Sequence, residues 1–177
     1  MKYLILCEGT NEQTIINLLL DADKLKIKRD DLIGLIPFHA RQLSNPTIMS
    51  QLRMYHQPVK VLRIGDTQRD KLSIPAELKD IVFKEEIYKY CTLPEFEILL
   101  IIQEGMYQSF LKSGEKKPKS FAKKYIFYNK NRYDQSNEFL TMYFGGERIK
   151  ELIHSLNEYK RLRKHDKDEL YLADLLK

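Results

Sequence analysis

The chain has 177 residues and a net charge of +5, and 43% of its residues are hydrophobic and 31% are charged. This length and composition fit one globular unit with a substantial core and exclude a disordered chain. No apolar run approaches the roughly 20 residues that cross a bilayer, and Cys7 and Cys91 are too few for a disulfide framework. We therefore expect a cytoplasmic protein without a membrane segment.

The first part of the sequence alternates between strand and helix signals. Short apolar runs predict strands at 2–7, 32–37, 59–64 and 86–91, and the segments between and after them predict helices at 10–20, 46–56, 74–83 and 95–103. We expect Thr10 to cap the first helix in a capping box with Gln13, and Asn45 to cap the second. This order predicts an α/β fold with a parallel four-stranded sheet that is flanked by helices.

The remainder of the chain shows helical signals at 106–111, 119–127, 137–144, 147–164 and 167–176. We expect residues 1–111 to form the α/β domain and residues 112–177 to form a basic, all-helical extension packed on it. The charge divides in the same place, because the first range has a net charge of −1 and the second has +6.

The segment 112–132 is the most basic part of the chain, with eight Lys or Arg residues against the single acid Glu115. Such a segment predicts a polyanionic partner, and therefore nucleic acid. The candidate contacts there are Lys116, Lys117, Lys119, Lys123 and Lys124. Aromatic residues are interleaved with these lysines. They could stack on unpaired bases, or they could face the core, because Phe121 and Tyr125 have the spacing of a buried helix face.

An acidic residue follows each of three predicted strands. Glu8-Gly9 follows the first, Gly65-Asp66 the third, and Pro94-Glu95-Phe96-Glu97 the fourth. The carboxyl ends of parallel strands meet at one edge of a sheet, so we expect these carboxylates to converge. Carboxylate oxygens are ligands for Mg²⁺, which can polarise a phosphate and activate water. Each motif alone also fits a polar turn or an acid at a helix N-terminus.

Neighbouring residues fit the same interpretation. Gly9 would let the backbone approach a ligand closely. Asp70 is near enough to Asp66 in the sequence to act as a further ligand through a turn, and Arg69 and Lys71 could hold phosphate oxygens.

The order of these motifs resembles a Toprim domain, over about residues 1–105, and more narrowly the small Toprim proteins of the OLD-like and RloB-like group. The resemblance implies that Glu8 is a metal ligand or general acid/base and that Glu12 is the second glutamate of the first motif. It also implies that Asp66 is the first aspartate of a DxD-like segment and that Glu97 is the glutamate of a PxFE-like segment. Gln68 stands where the second aspartate of DxD would be. Its oxygen is neutral, so metal affinity should fall, and the site could hold one ion or two.

Together these features predict a metal-dependent nuclease of the Toprim endonuclease type that uses Mg²⁺ or Mn²⁺ on DNA or RNA. The predicted catalytic residues are Glu8, Asp66 and Glu97, and the predicted metal ligands are the same three residues with Asp70. The resemblance also implies a place in bacterial or phage defence beside an ATPase partner. Two alternatives stay open: a nucleic-acid-binding or regulatory module with a degenerate acidic site, and a subunit that recruits partners through its helical tail.

Overall fold

The computed structural model describes residues 1–66 and 69–177. Its centre is a sheet of five strands in the order β2-β1-β3-β4-β7, and every neighbouring pair is parallel. The strands of this sheet are β1 (Lys2–Cys7), β2 (Phe38–His39), β3 (Val59–Gly65), β4 (Ile87–Cys91) and β7 (Leu170–Tyr171). A separate antiparallel hairpin consists of β5 (Phe127–Tyr128) and β6 (Asn131–Arg132). The fold is therefore α/β with a parallel sheet, as predicted, but with five strands rather than four.

Helices cover both faces of the sheet. They are α1 (Thr10–Asp21), α2 (Pro46–Arg53), α3 (Ile98–Gln103), α4 (Tyr107–Lys112), α5 (Pro118–Tyr125), α6 (Asn137–Phe144) and α7 (Ile149–Leu162). Successive residues of a strand point to opposite faces. Ile5 of β1 accordingly belongs to a hydrophobic cluster with α1, α3, α6 and α7, whereas Leu4 belongs to a second cluster with α2. None of the described helices is long and apolar enough to cross a membrane.

The prediction of a second strand at 32–37 was wrong in its position. Gly34 has φ of +65° and Leu35 has φ of +61°, and this left-handed conformation interrupts an extended strand. The segment Ile33–Leu35 is therefore a turn with a left-handed backbone at Gly34 and Leu35, and the strand is limited to Phe38–His39. The position of this strand matters for the site, because Ala40 and Arg41 follow directly after its end at the edge of the sheet.

Two local predictions about helices also fail. Gly9, rather than Thr10, occupies the N-cap position of α1, and the Gln13 side chain donates a hydrogen bond to the carbonyl of Pro37 at 2.7 Å instead of closing a capping box. The helix expected at 74–83 is reduced to the 3₁₀ turn Ala76–Leu78. Asn45 caps α2 as predicted, since its side chain accepts a hydrogen bond from the Thr47 amide at 3.0 Å.

The C-terminal extension is not all-helical. It contributes the β5-β6 hairpin, and the helix expected at 167–176 is instead β7 followed by the 3₁₀ turn Leu172–Leu175. Residues of β7 pair with Tyr90 and Cys91, the last two residues of β4. Buried side chains from both halves of the chain share the larger hydrophobic cluster. The extension thus completes the sheet as well as packing on it.

Candidate active site

An open cleft of about 320 Å³ lies at the carboxyl ends of the central strands. Four carboxylate side chains line it, from the ends of β1 and β3, the first turn of α1, and the start of α3. The lining residues are Glu8, Gly9, Thr10, Asn11, Glu12, Arg41, Asp66, Phe96, Glu97, Lys119 and Gln135. The strands that carry the three acidic motifs, β1, β3 and β4, are adjacent in the sheet. The structure therefore brings Glu8, Asp66 and Glu97 together in one cleft, hereafter the acidic cleft.

Glu8 follows the last residue of β1, and its amide donates a hydrogen bond to the Ile64 carbonyl of β3 at 2.8 Å. This backbone bond fixes the position of the side chain relative to the neighbouring strand. One carboxylate oxygen, Oε1, forms an ion pair with Arg41 at 3.0 Å. The other, Oε2, is buried and has no hydrogen-bond partner among the described residues. A buried oxygen without a partner is costly, so this atom is open to a ligand that brings positive charge.

Asp66 follows the end of β3, and its Oδ1 accepts a hydrogen bond from the Phe96 amide at 2.9 Å. This bond ties the turn after β3 to the segment after β4. Burial raises the pKa of Asp66 to about 8, and the negative charges of Glu12, Glu97 and Glu8 contribute to the rise. The carboxylates are therefore close enough to repel one another, which is the electrostatic condition that a bound cation would relieve.

Glu97 immediately precedes α3 and is only 2% exposed. Its Oε1 accepts a hydrogen bond from the Tyr133 hydroxyl at 2.9 Å, and that hydroxyl in turn accepts one from the Asn11 side chain at 3.4 Å. Burial raises the pKa of Glu97, while the bond from Tyr133 and the charge of Lys119 oppose the rise. The side chain is thus held in place by residues from distant segments of the chain.

Glu12 lies in the first turn of α1 and is 7% exposed. Burial raises its pKa, and the charges of Glu8 and Glu97 add to the rise. A Cβ atom on Gly9 would lie 2.6 Å from Glu12 Oε2, well inside van der Waals contact. Gly9 therefore leaves the space that the Glu12 carboxylate occupies, which is how the Glu-Gly pair of the first motif shapes the acidic cleft.

The donor set suits a hard divalent cation, because it consists of carboxylate oxygens that repel one another and includes one buried oxygen without a partner. Across residues 1–66 and 69–177, however, no group of three His, Cys, Asp or Glu side chains is already arranged to hold a metal ion. Glu8, Asp66 and Glu97 are the residues that would hold such an ion in this cleft.

Asp70 lies outside the lining of the acidic cleft. Its carboxylate forms an ion pair with Arg63 at 2.8 Å, and the Arg63 side chain is buried in β3. A second hydrogen bond from Arg63 reaches the Asp70 carbonyl at 3.0 Å. Asp70 therefore neutralises a buried cation. Arg69 and Lys71 are exposed beside it, and Gln68 lies outside the described residues.

Of the five basic candidates in segment 112–132, Lys119 alone lines the acidic cleft, and its charge lowers the pKa of both Glu12 and Glu97. The other four are exposed on the same helix or just before it, namely Lys116, Lys117, Lys123 and Lys124. Lys124 forms an ion pair with Glu115 at 3.3 Å.

Sequence reasoning missed four residues of the site: Arg41, Asn11, Tyr133 and Gln135. Arg41 follows a strand of two residues, too short to recognise by alternation. Tyr133 sits at the end of the basic segment with no periodic pattern around it. Only Asn11 could have been found from the sequence, because it lies between Glu8 and Glu12 in the first acidic motif.

Comparison of the chain with family models finds no match, and comparisons with curated proteins and with solved structures find no significant match.

Proposed function

We propose that this chain is a metal-dependent nuclease that cleaves phosphodiester bonds of DNA or RNA in the acidic cleft, with Mg²⁺ or Mn²⁺ as cofactor. The observation that carries the proposal is the meeting of Glu8, Asp66 and Glu97, from three separate stretches of sequence, in one cleft with the buried Glu12. Acidic side chains that repel one another at a sheet edge are unfavourable unless a function requires them.

The resemblance to Toprim proteins supports this proposal, because the order of the strands brings the resembling motifs together. The three motifs that carry the resemblance follow β1, β3 and β4, and these strands are neighbours in the sheet. Membership of that family, a role in phage defence and an ATPase partner rest on the resemblance and belong to the proposal.

Within the site, each residue has a distinct role. Glu8, Asp66 and Glu97 would hold the cation, which supplies polarisation of the phosphate and activation of water when it is bound. Arg41 and Lys119 lie at the same cleft and carry the positive charge that a phosphodiester needs. Tyr133 orients Glu97 through its hydrogen bond. In the metal-free protein Asp66, whose pKa is about 8, keeps a proton near neutral pH.

The test is cleavage of labelled single-stranded DNA, duplex DNA and RNA, each with Mg²⁺, with Mn²⁺ and with EDTA. Three isosteric variants, Glu8→Gln, Asp66→Asn and Glu97→Gln, each replace a carboxyl group that could bind the cation with a neutral amide. The matched control is Glu158→Gln on α7, a half-buried carboxylate that pairs with Arg161 and does not line the cleft. We expect metal-dependent cleavage that the control retains and that each cleft variant reduces by at least about 100-fold, since loss of a metal ligand removes transition-state stabilisation of several kcal/mol.

Retention of full cleavage by all three cleft variants would reject the site. Cleavage that persists in EDTA would reject the metal.

A second candidate function is a nucleic-acid-binding or regulatory module with a degenerate acidic site. It is favoured by the ion pair of Arg41 with Glu8 and by the absence, among the residues that the structure describes, of a preformed three-ligand group. Titration with Mn²⁺ separates the two functions. Saturable binding that Asp66→Asn abolishes supports the nuclease, and nucleic-acid binding without any metal binding supports the module.

A further inference from the structure

The part of the chain that holds α5 and the β5-β6 hairpin carries both exposed aromatic rings and exposed cations. We name these exposed residues the basic aromatic face. Its members are Lys116, Lys117, Lys123, Lys124, Tyr125, Phe127, Lys130 and Arg132, all of which are exposed. The segment 112–132 holds eight basic residues and one acid. Its net positive charge is therefore solvent-exposed and available to a polyanion.

The aromatic residues between 121 and 133 differ in exposure, and Tyr128 is intermediate. Phe121 and Tyr133 are 4% and 1% exposed and belong to the core, whereas Tyr125 and Phe127 are 52% and 49% exposed. Phe121 and Tyr125 have the spacing of a buried helix face in the sequence, but only Phe121 of the two is buried. Tyr125 and Phe127 are thus two large rings, two residues apart in the sequence, that are each about half exposed to water.

Both exposed rings are held in place from one side. The Tyr125 ring packs against Phe121 with ring centroids 4.6 Å apart. The guanidinium of Arg132, on the facing strand of the hairpin, lies 5.1 Å from the centroid of the Phe127 ring. Supported rings lose little conformational entropy when a ligand stacks on their free side. The pair therefore forms a prepared stacking platform.

The basic aromatic face is connected to the acidic cleft through the backbone on both sides. Lys119, in the first turn of α5, lines the cleft, and so does Gln135, three residues after β6. Tyr133 directly follows β6, and its amide donates a hydrogen bond to the Ile126 carbonyl at 3.0 Å while its hydroxyl bonds Glu97. The hairpin is thus anchored at the site that would cut a strand.

We infer that the basic aromatic face binds an unpaired nucleic-acid strand, with bases stacked on Tyr125 and Phe127 and phosphates on the surrounding lysines. In a duplex the bases are already stacked and paired, so only the phosphates would use this surface and the rings would contribute nothing. The inference rests on the proposed function for its cutting site, which it deepens by specifying single-stranded DNA or RNA as the substrate class.

Binding is measured separately from cleavage, by fluorescence anisotropy in EDTA with three labelled probes: oligo-dT of about 20 nucleotides, oligo-U of the same length, and a duplex of the same length, each long enough to span a typical single-strand site. The key variant is the double substitution Tyr125→Leu with Phe127→Leu, which keeps apolar area and removes the aromatic rings. The control is Met54→Ala, an exposed residue at the end of α2. Urea unfolding confirms that each variant is folded.

We expect at least one single-stranded probe to bind more tightly than the duplex. The leucine double variant should weaken that binding about 5-fold or more, as loss of base stacking does elsewhere, without changing its salt dependence. The double variant Lys123→Gln with Lys124→Gln should instead make binding less sensitive to salt. The negative slope of log K against log salt should become shallower by about 0.7 for each phosphate that the protein no longer neutralises. Met54→Ala should match the unmodified protein.

Equal or tighter binding of the duplex, no effect of the leucine double variant, or no binding of any probe would each overturn the inference. Single-strand binding that depends on Tyr125 and Phe127, in a protein that cleaves nothing, would overturn the proposed nuclease and leave this inference standing. The preference between oligo-dT and oligo-U identifies whether the strand is DNA or RNA.

Discussion

The hydroxyl of Tyr133 donates a hydrogen bond to the Glu97 carboxylate at 2.9 Å, although 36 residues separate them in the sequence. Both side chains are almost fully buried. The bond lowers the pKa of Glu97 against the rise that burial causes. It therefore joins the C-terminal part of the chain to the acidic cleft and favours the charged form of a buried carboxylate.

Tyr133→Phe should lower the free energy of unfolding at neutral pH by about 1–3 kcal/mol, because it leaves a buried carboxylate without its donor. The pKa of Glu97 should rise further, since the bond that lowered it is gone. Urea unfolding followed by circular dichroism measures the first effect. Tyr125→Phe, which removes a hydroxyl from a half-exposed ring, is the control, and an equal loss in both variants would contradict the prediction.

The metal-free protein should become less stable as pH rises from about 4 to about 8. The reason is that the folded state raises the pKa of Asp66 from 3.8 to about 8, so in this range the folded protein retains a proton that the unfolded chain has lost. The stability falls by up to about 1.4 kcal/mol per pH unit from this group. Other charged groups that line the cleft also affect how stability changes with pH. They are Glu8, Glu12, Glu97, Arg41 and Lys119.

Urea unfolding in EDTA between about pH 5 and about pH 8 checks this dependence. Asp66→Asn should flatten the slope, since the titrating charge is removed while its oxygen can still accept the Phe96 amide bond. Added Mg²⁺ should stabilise the unmodified protein more at the upper end of this range than at the lower end. Identical slopes for Asp66→Asn and the unmodified protein would show that Asp66 does not carry the effect.

Gly9→Ala should displace the Glu12 carboxylate, because the new Cβ would lie 2.6 Å from its Oε2. Gly9 has φ of −132°, which alanine adopts freely, so the conflict is with the side chain and not with the backbone. In a Glu12→Ala background the same substitution should be less harmful, with a coupling energy of about 0.5–2 kcal/mol. Urea unfolding of the two single variants and the double variant measures it, and strictly additive effects would count against the contact.

Asp70→Ala should destabilise the protein by about 1–3 kcal/mol, because it leaves the buried Arg63 guanidinium with one partner fewer. Mn²⁺ affinity, measured by calorimetry, should change by less than about twofold, since the proposed ligands are Glu8, Asp66 and Glu97. Glu77→Ala breaks an exposed ion pair with Arg53 and should cost under about 1 kcal/mol. A large loss of Mn²⁺ affinity in Asp70→Ala would restore Asp70 as a metal ligand.

Much of the sheet could be predicted, because the observed bounds of β1, β3 and β4 lie within one residue of those predicted. Strands β1 and β3 are mostly buried, and mostly buried strands read as apolar runs. Strands β2 and β7 have two residues each, so neither provides a pattern. They form only because the backbone groups of β1 and β4 are available for hydrogen bonding at the two edges of the central sheet. The residues of β2 and β7 alone do not specify this pairing.

The sequence by itself determined which residues follow the strand ends, and therefore that Glu8, Asp66 and Glu97 would share one edge of the sheet. Tertiary structure alone decided that Asp70 would pair with Arg63, that Arg41 and Tyr133 would join the acidic cleft, and which aromatic residues would remain exposed. The physical reason is distance along the chain. Strand formation and strand-end chemistry depend on neighbouring residues, whereas ion pairing, burial and the resulting pKa values depend on segments that meet only after folding.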